Sequence, residues 1–248
     1  MKNLIDIHTH SIASGHAFST VLENVHYASI KGLKYYGLSD HAPNIPGGPH
    51  SIYFRNLKVI PDIIENVRVL KGVELNILDE NCKVDLSEST IKNMDYTIAS
   101  IHGPCFMKNS TFEDVTNAYL KACDNKYITI IGHMENGNYM CDYDRICEYA
   151  SKTNTLIELN NSSLIPGSSR LDSNIHMPQL LKACMKYHTY VIINSDAHIA
   201  LDVGSDDKVT KMLEDTEFDL DLVVNYHEEL IEKFIINNCK KSLMFSIS

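Results

Sequence analysis

Short β-rich runs of apolar residues alternate with segments of helical periodicity along the whole chain. Strands that alternate with helices over about 250 residues indicate βα units around a parallel sheet, as a barrel or an open sheet. The pattern therefore predicts an α/β fold. Seven runs are predicted strands: Leu4–Ile7, Tyr35–Leu38, Arg68–Val73, Tyr96–Ile101, Ile128–Ile131, Thr155–Leu159 and Tyr190–Ile193.

Several segments between these strands begin with residues that favour helix N-termini. Thr20–Glu23 and Thr111–Asp114 have the spacing of a capping box. Pro61 suits the first turn of a helix that continues through Val67, and Pro178 suits the first turn of a later helix. These features predict four of the helices between the strands.

The chain has no internal repeat, low-complexity tract or linker-like change in composition, so residues 1–248 are predicted to form a single domain. The segment Ala42–Arg55 is rich in proline and glycine and is long for a connection between a strand and a helix. Long loops at this position usually border the active site, which places the predicted site near it.

Histidine and carboxylate side chains follow the predicted strands. In a parallel barrel the carboxyl ends of the strands converge, so these residues meet in space. Imidazole and carboxylate groups are ligands for Zn²⁺, Mn²⁺ and Fe²⁺. Seven of the twelve histidines belong to this set, a clustering that scattered structural histidines would not show. The candidate metal ligands are His8, His10, His16, His41, Glu74, His102, His133, Asp196 and His198.

The order of these motifs resembles that of the PHP (polymerase and histidinol phosphatase) metallo-phosphoesterases. The match runs from Asp6 to His198 in the right order. Ala13–Thr20 and Glu158–Ser163 are similar to the YcdX-like phosphatase branch in particular. One departure is Met134 after His133, where family members often have a proline that would stiffen the turn.

The resemblance implies a distorted seven-stranded (β/α)7 TIM-like barrel of the PHP type with a trinuclear metal centre, Zn²⁺ being expected before Mn²⁺ or Fe²⁺. It implies that a metal-bound hydroxide hydrolyses phosphate esters of small molecules, with Glu74, Asp196 and His198 acting through the metals. By analogy the three ions are held by His8, His10, Glu74 and Asp196; by Glu74 as a bridge with His102 and His133; and by His16, His41 and His198.

Three further residues are candidates for supporting roles. Asp40 adjoins His41 and is a candidate for orienting a metal-ligating histidine. Arg170, after the sixth predicted strand, and Lys108, in the loop after His102, are the candidate phosphate-binding cations.

The charge and the cysteines restrict the partners and the compartment. With 22 basic and 32 acidic residues the net charge is −10, which argues against nucleic acid as a partner. No apolar run approaches the length of a membrane helix, and the N-terminus lacks the pattern of a signal peptide. The seven cysteines form no C-x-x-C pair, so reduced thiols and a cytoplasmic location are expected.

Two other functions remain open on the sequence. Amidohydrolase barrels also carry an H-x-H on their first strand, but they usually place the residue between the metals on strand four, whereas Glu74 follows strand three. A non-catalytic metal-binding regulatory domain is the other alternative, and the retention of nine ligands weighs against it. A polymerase-associated role is disfavoured by the acidic charge.

Overall fold

A computed structural model describes residues 1–240 of the chain; residues 241–248 of the predicted domain lie outside the described residues. Within residues 1–240 the strands are β1 Ile5–Asp6, β2 Tyr35–Leu38, β3 Ile63–Ile64, β4 Val67–Lys71, β5 Glu74–Asn76, β6 Ile98–Ser100, β7 Ile130–Ile131, β8 Leu156–Asn160 and β9 Val191–Asn194. The α-helices are α1 Val21–Ile30, α2 Ser51–Asn56, α3 Glu88–Ile91, α4 Phe112–Asp124, α5 Tyr143–Thr153, α6 Ser173–Tyr187, α7 Asp207–Asp215 and α8 Glu228–Ile231.

The strands form two sheets whose ends meet. One sheet has the order β1-β2-β4-β3 and the other β5-β6-β7-β8-β9, and every pair is parallel except β3 with β4. Two isolated parallel bridges join the sheets, from Thr9 to Ala197 and from His41 to Glu74. The fold is therefore a mixed α/β fold in which the segments after β1, β2 and β9 lie next to one another.

All seven predicted strands are present, and one of them ends early and is followed at once by an additional strand. The predicted strand Arg68–Val73 ends at Lys71, and β5 begins at Glu74 in the other sheet. Gly72 lies at this break, where an added Cβ would come within 2.3 Å of the Tyr96 ring. Only glycine permits this approach, so the change of sheet that delivers Glu74 depends on it.

Two helix predictions were correct and two need correction. Both capping boxes are formed, at the N-termini of α1 and α4. The helix predicted from Pro61 is wrong, because β3 and β4 form a hairpin whose turn residues Glu65 and Asn66 have φ of 49° and 63°. Positive φ at both turn residues matches the twist of a tight hairpin. Pro178 lies inside α6, which already begins at Ser173.

The two sheets share a buried core. Ile5 and Leu70 from the first sheet pack in one cluster with Ile98 from the second and with Phe234 and Ile235 near the C-terminal end of the described chain. A larger cluster contains the inward faces of α1, α4, α5 and α6. These contacts fix the position of the strand ends that carry the polar side chains.

The seven cysteines all lie within the part of the chain that the structure describes. All seven cysteines are free thiols, and five are buried. No helix in residues 1–240 is long and apolar enough to cross a membrane.

Candidate metal centre

The nine predicted ligands lie together, and most of them follow the carboxyl end of a strand. His8 and His10 follow β1, His41 follows β2, Glu74 begins β5, and His102 follows β6. The remaining four come from later segments and from the first loop: His133 after β7, Asp196 and His198 after β9, and His16 between β1 and α1.

Glu74 lies at the centre of this group and is fully buried. Its Oε1 is 3.1 Å from His133 Nε2, 3.2 Å from His102 Nε2 and 3.3 Å from His8 Nε2. Its Oε2 is 2.6 Å from His41 Nδ1 and 3.7 Å from His10 Nε2. One carboxylate thus faces nitrogen atoms of five histidines.

Asp196 is a second carboxylate that lies close to two of these histidines. Its Oδ1 is 3.1 Å from His10 Nε2 and 3.5 Å from His8 Nε2. The His16 ring lies 5.0 Å from the His41 ring and 4.9 Å from the His198 ring, centroid to centroid.

Several of these buried atoms have no hydrogen-bond partner, which is the condition expected of metal ligands. His8 Nε2, His41 Nδ1 and Glu74 Oε2 are all of this kind. His41 Nδ1 and Glu74 Oε2 are close but lack hydrogen-bond geometry with each other. Buried polar atoms are rarely left unpaired without a reason. Three groups have ligand atoms close enough to hold one ion each: His8, His10 and Glu74; His41, Glu74 and His102; and His10, His41 and His198.

The orientation of three imidazoles is fixed by hydrogen bonds at their Nδ1 atoms. His8 Nδ1 lies 2.6 Å from Glu158 Oε1, and His102 Nδ1 lies 2.7 Å from Asn76 Oδ1. With the proton held at Nδ1, the Nε2 lone pair of each ring is free to bind a metal. The sequence analysis did not assign roles to Glu158 and Asn76, although a charged residue inside the apolar strand β8 was a usable indication.

Asp40 orients the third imidazole through a serine. Its Oδ1 accepts hydrogen bonds from the Ser11 backbone N–H and from Ser14 Oγ, both at 2.7 Å. Ser14 Oγ lies 3.1 Å from His10 Nδ1 and accepts from the His41 backbone N–H at 3.2 Å. The Asp40 carboxylate therefore acts on His10 through Ser14, and the Asp40 carbonyl accepts from the Glu74 backbone N–H at 3.2 Å.

The electrostatics keep the carboxylates ionised. Burial alone would raise the pKa of Glu74, but His102, His8 and His41 lower it well below its usual value. Burial opposes ionisation of Asp196 as well, and the charges of His8 and Arg170 bring its pKa well below normal. Both side chains are therefore anionic and able to hold cations.

The histidines differ in charge state. Burial, with a further contribution from Arg170, lowers the pKa of His133 to about 4. Burial and the neighbouring His41 lower the pKa of His10 well below normal. For His8 the effect of burial is outweighed by Glu158, Asp196 and Glu74, which raise its pKa. Neutral His10 and His133 have lone pairs available for a metal, and at His8 a divalent cation would take the place of the proton.

Two of the predicted ligands have strained backbones. His133 has a φ of 29° and Asp196 a φ of 55°, both in the left-handed region. Such conformations cost about 1–3 kcal/mol each and concentrate at functional sites. The packing of the fold therefore holds these two side chains in position against a local preference.

Of the two candidate phosphate-binding cations, only Arg170 lies at the site. Its Nη2 is 2.5 Å from Asp196 Oδ2, and its Nη1 donates to Ser162 Oγ at 2.8 Å. Arg170 lines the cavity above the histidines together with His102. Lys108 is exposed and does not line this cavity, so the structure does not bring it to the site.

The two residues after His133 are both buried. Met134 packs in the larger apolar cluster, and Glu135 is a buried acid next to the site. Burial raises the pKa of Glu135 to about 7. Core packing of the Met134 side chain thus holds the turn after His133 in place.

Known proteins with similar sequences are named as probable phosphatases. A probable phosphatase from Caldanaerobacter subterraneus is 42% identical over 241 residues, which is 97% of this chain and 94% of that protein. A probable phosphatase from Clostridium acetobutylicum is 41% identical over 235 residues, or 95% of each chain. The chain belongs to this phosphatase family. The predicted enzyme class, a hydrolase of phosphate esters, is confirmed at this level. No model of a protein family matches the sequence.

Solved structures with low identity share the fold. Histidinol phosphate phosphatase from Lactococcus lactis, solved with zinc, L-histidinol and phosphate, has a TM-score of 0.62 at 16% identity and covers 88% of this chain and 95% of that one. A chain of an archaeal ribonuclease P has a TM-score of 0.56 at 14% identity and covers 97% and 93%. These likenesses establish the mixed α/β fold.

Proposed function

We propose that the protein is a PHP-type, metal-dependent phosphomonoesterase of the YcdX-like branch that acts on small phosphate esters. The observation that carries the proposal is Glu74, one buried carboxylate facing the nitrogen atoms of five histidines. The proposal includes a single domain whose two sheets together make a distorted seven-stranded barrel. The bridges from Thr9 to Ala197 and from His41 to Glu74 support that closure.

The donor set fits three divalent ions. Glu74 can serve two ions because its two oxygens face different histidines, His133 and His102 on one side and His41 on the other. Ligation mainly by imidazole nitrogen with two carboxylates suits Zn²⁺ and leaves Mn²⁺ and Fe²⁺ as alternatives. When bound, such ions supply Lewis acidity and a water nucleophile with a lowered pKa.

The side chains of the chain itself perform the positioning. Glu158, Ser14 and Asn76 hold the Nδ1 protons of His8, His10 and His102. Arg170 is the cation for the phosphate, because its hydrogen bonds to Asp196, Ser162 and Asn160 leave two of its five N–H groups for oxygen atoms of the substrate. Fixed donors of this kind stabilise charge that develops on a transferring phosphoryl group.

The size of the site and the state of the thiols complete the proposal. The cavity above the histidines has lobes of about 470 and about 500 Å³, which is the size range of small-molecule sites. Cys147 and Cys184 lie 3.6 Å apart, sulfur to sulfur, as free thiols. Unpaired neighbouring thiols support the predicted cytoplasmic location.

The test combines metal content with turnover. The purified protein is stripped with a chelator, reloaded separately with Zn²⁺, Mn²⁺ or Fe²⁺, and analysed by elemental mass spectrometry and by phosphate release from nitrophenyl phosphate. We expect three ions per chain and turnover that depends on them. Full metal occupancy without hydrolysis of any phosphate ester would favour the regulatory alternative, and absence of metal binding would refute the proposal.

A further inference from the structure

The cavity above the histidines has two lobes that meet at His102 and Arg170. The first lobe lies over His16, His41 and His198 and is walled by residues 165–169. The second lobe lies over His133 and is lined by Asn136, Asn138 and Tyr139 from the segment between β7 and α5. A phosphate bound at Arg170 and the metal ligands can therefore extend its ester group into the second lobe.

The wall of the second lobe is uncharged. Apart from Arg170 and the two histidines, it contains no acidic or basic side chain among residues 1–240. The polar or backbone-rich residues of the wall are Gly103, Pro104, Asn136, Asn138, Tyr139 and Ser169. A cationic group that entered this lobe would lose hydration without gaining a counter-ion from the wall, which is unfavourable.

The same wall offers neutral hydrogen-bonding atoms. The Tyr139 ring packs edge-on against Phe106 with centroids 5.9 Å apart, which holds the phenol in place. Gly103 leaves space beside the Tyr139 hydroxyl, since an added Cβ would lie only 3.2 Å from it. Asn138 donates through Nδ2 to Asn136 Oδ1 at 2.9 Å and to the Ser169 carbonyl at 3.2 Å, which fixes its amide.

Each of these two side chains, which line the lobe, also carries a polar atom that is open to a ligand. Within residues 1–240 the structure gives no hydrogen bond to the Tyr139 hydroxyl or to Asn138 Oδ1. Neither atom is sealed in the core, because Tyr139 is partly exposed and Asn138 is exposed. They are therefore free to pair with hydroxyl groups of a ligand.

We propose that the second lobe binds the alcohol part of the substrate and selects a hydroxyl-bearing one without a cationic group, such as a glycerol-like or sugar-like group, with Tyr139 and Asn138 as the specificity-determining residues. This inference rests on the proposed phosphatase function. Hydroxyl groups pair with the phenol and the amide, whereas an ammonium group finds no acid in the wall.

The test compares two esters that differ in one group. Glycerol phosphate and serinol phosphate have nearly the same shape, but serinol phosphate carries an ammonium group in place of the central hydroxyl. Phosphate release by the metal-loaded protein is measured for both esters and for nitrophenyl phosphate. We expect kcat/KM for glycerol phosphate to exceed that for serinol phosphate at least about tenfold. Equal values, or a preference for serinol phosphate, would overturn the inference.

A variant pair tests the assigned residue. Tyr139→Phe removes one hydroxyl and keeps the packing against Phe106, so the ratio of kcat/KM for glycerol phosphate to that for nitrophenyl phosphate should fall about tenfold. Tyr27→Phe, on the partly exposed face of α1, is the matched control and should leave the ratio unchanged. An unchanged ratio in Tyr139→Phe would show that the phenol is structural and would overturn the assignment.

The outcomes separate this inference from the proposed function. Hydrolysis of nitrophenyl phosphate without discrimination between the two matched esters refutes the selectivity alone. Failure of the metal-loaded protein to hydrolyse any of the three esters refutes the phosphatase proposal and the inference with it.

Discussion

Replacing Glu158 by glutamine removes one buried charge and keeps the shape of the side chain. Oε1 lies 2.6 Å from His8 Nδ1 and accepts from Asn194 Nδ2 at 2.9 Å, while Oε2 accepts from the His133 backbone N–H at 2.8 Å and from Asn160 Nδ2 at 3.1 Å. With the His8 proton at Nδ1, all four partners are donors. Because an amide nitrogen cannot accept, glutamine leaves two of them unpaired in either orientation.

The magnitude follows from these four contacts. A buried donor without an acceptor costs about 1–3 kcal/mol, so two of them lower the free energy of unfolding by at least about 2 kcal/mol. Residues that orient a metal-ligating histidine typically change metal affinity by about 10- to 100-fold. We therefore expect Glu158→Gln to weaken zinc binding by that factor, measured by competition with a chromophoric chelator. Urea denaturation of the metal-free protein gives the change in stability.

Glu148→Gln is the matched control for this experiment. Glu148 is an exposed residue of α5 that pairs with Lys152 at 2.6 Å, and surface pairs contribute less than about 1 kcal/mol. The control should bind zinc as the parent protein does. If Glu158→Gln matched the parent in both zinc affinity and urea midpoint, the assigned role of Glu158 would be wrong.

Three further predictions concern the substrate cation, the buried lysine and the metals. Lysine at position 170 keeps the charge but lacks the planar fork, so Arg170→Lys should lower kcat/KM for nitrophenyl phosphate about 100-fold, and unchanged kinetics would contradict its role. Burial lowers the pKa of Lys240 from 10.5 to about 8, so the unfolded chain binds more protons between these values and stability rises with pH there. Relative to Lys240→Met, the parent's free energy of unfolding in urea should gain about 2 kcal/mol from about pH 7.5 to about pH 9.5; a constant difference would refute this. Chelation should lower the calorimetric unfolding temperature by the equivalent of about 4 kcal/mol at a zinc concentration about 1,000 times Kd, and identical scans would show that no metal stabilises the fold.

The clustering of the nine candidate metal ligands could be predicted because each pattern is local. Ile130–Ile131 is an apolar strand, and the polar His133 follows two residues later. The parallel arrangement then brings the strand ends together without further information. The position of Glu74 is the hardest to predict, because the sequence does not reveal that the chain changes sheets at Gly72.

The residues that orient the histidines could not be assigned in this way. Glu158 lies inside β8, and its contact with His8 spans 150 positions in the chain. A side chain within a strand can point to either face, so only the packed fold shows which group it meets. The contact of Asn76 with His102 is of the same kind.

The wrong helix at Pro61 has a physical cause as well. Ile60, Ile64 and Val67 have helical spacing, and proline suits a first helical turn. The pairing of β4 with β2 and the left-handed turn at Glu65 and Asn66 outweigh that preference. Tertiary pairing routinely overrides such weak local propensities.

We propose above all that Glu74 is shared by the metal ions on which phosphate-ester hydrolysis depends. The most direct test measures metal content and nitrophenyl phosphate turnover in parallel for the parent, Glu74→Gln and Glu148→Gln. The account predicts that Glu74→Gln loses more than one ion per chain and loses turnover at least about 100-fold, while Glu148→Gln matches the parent. Parent-like metal content together with parent-like turnover in Glu74→Gln would contradict it.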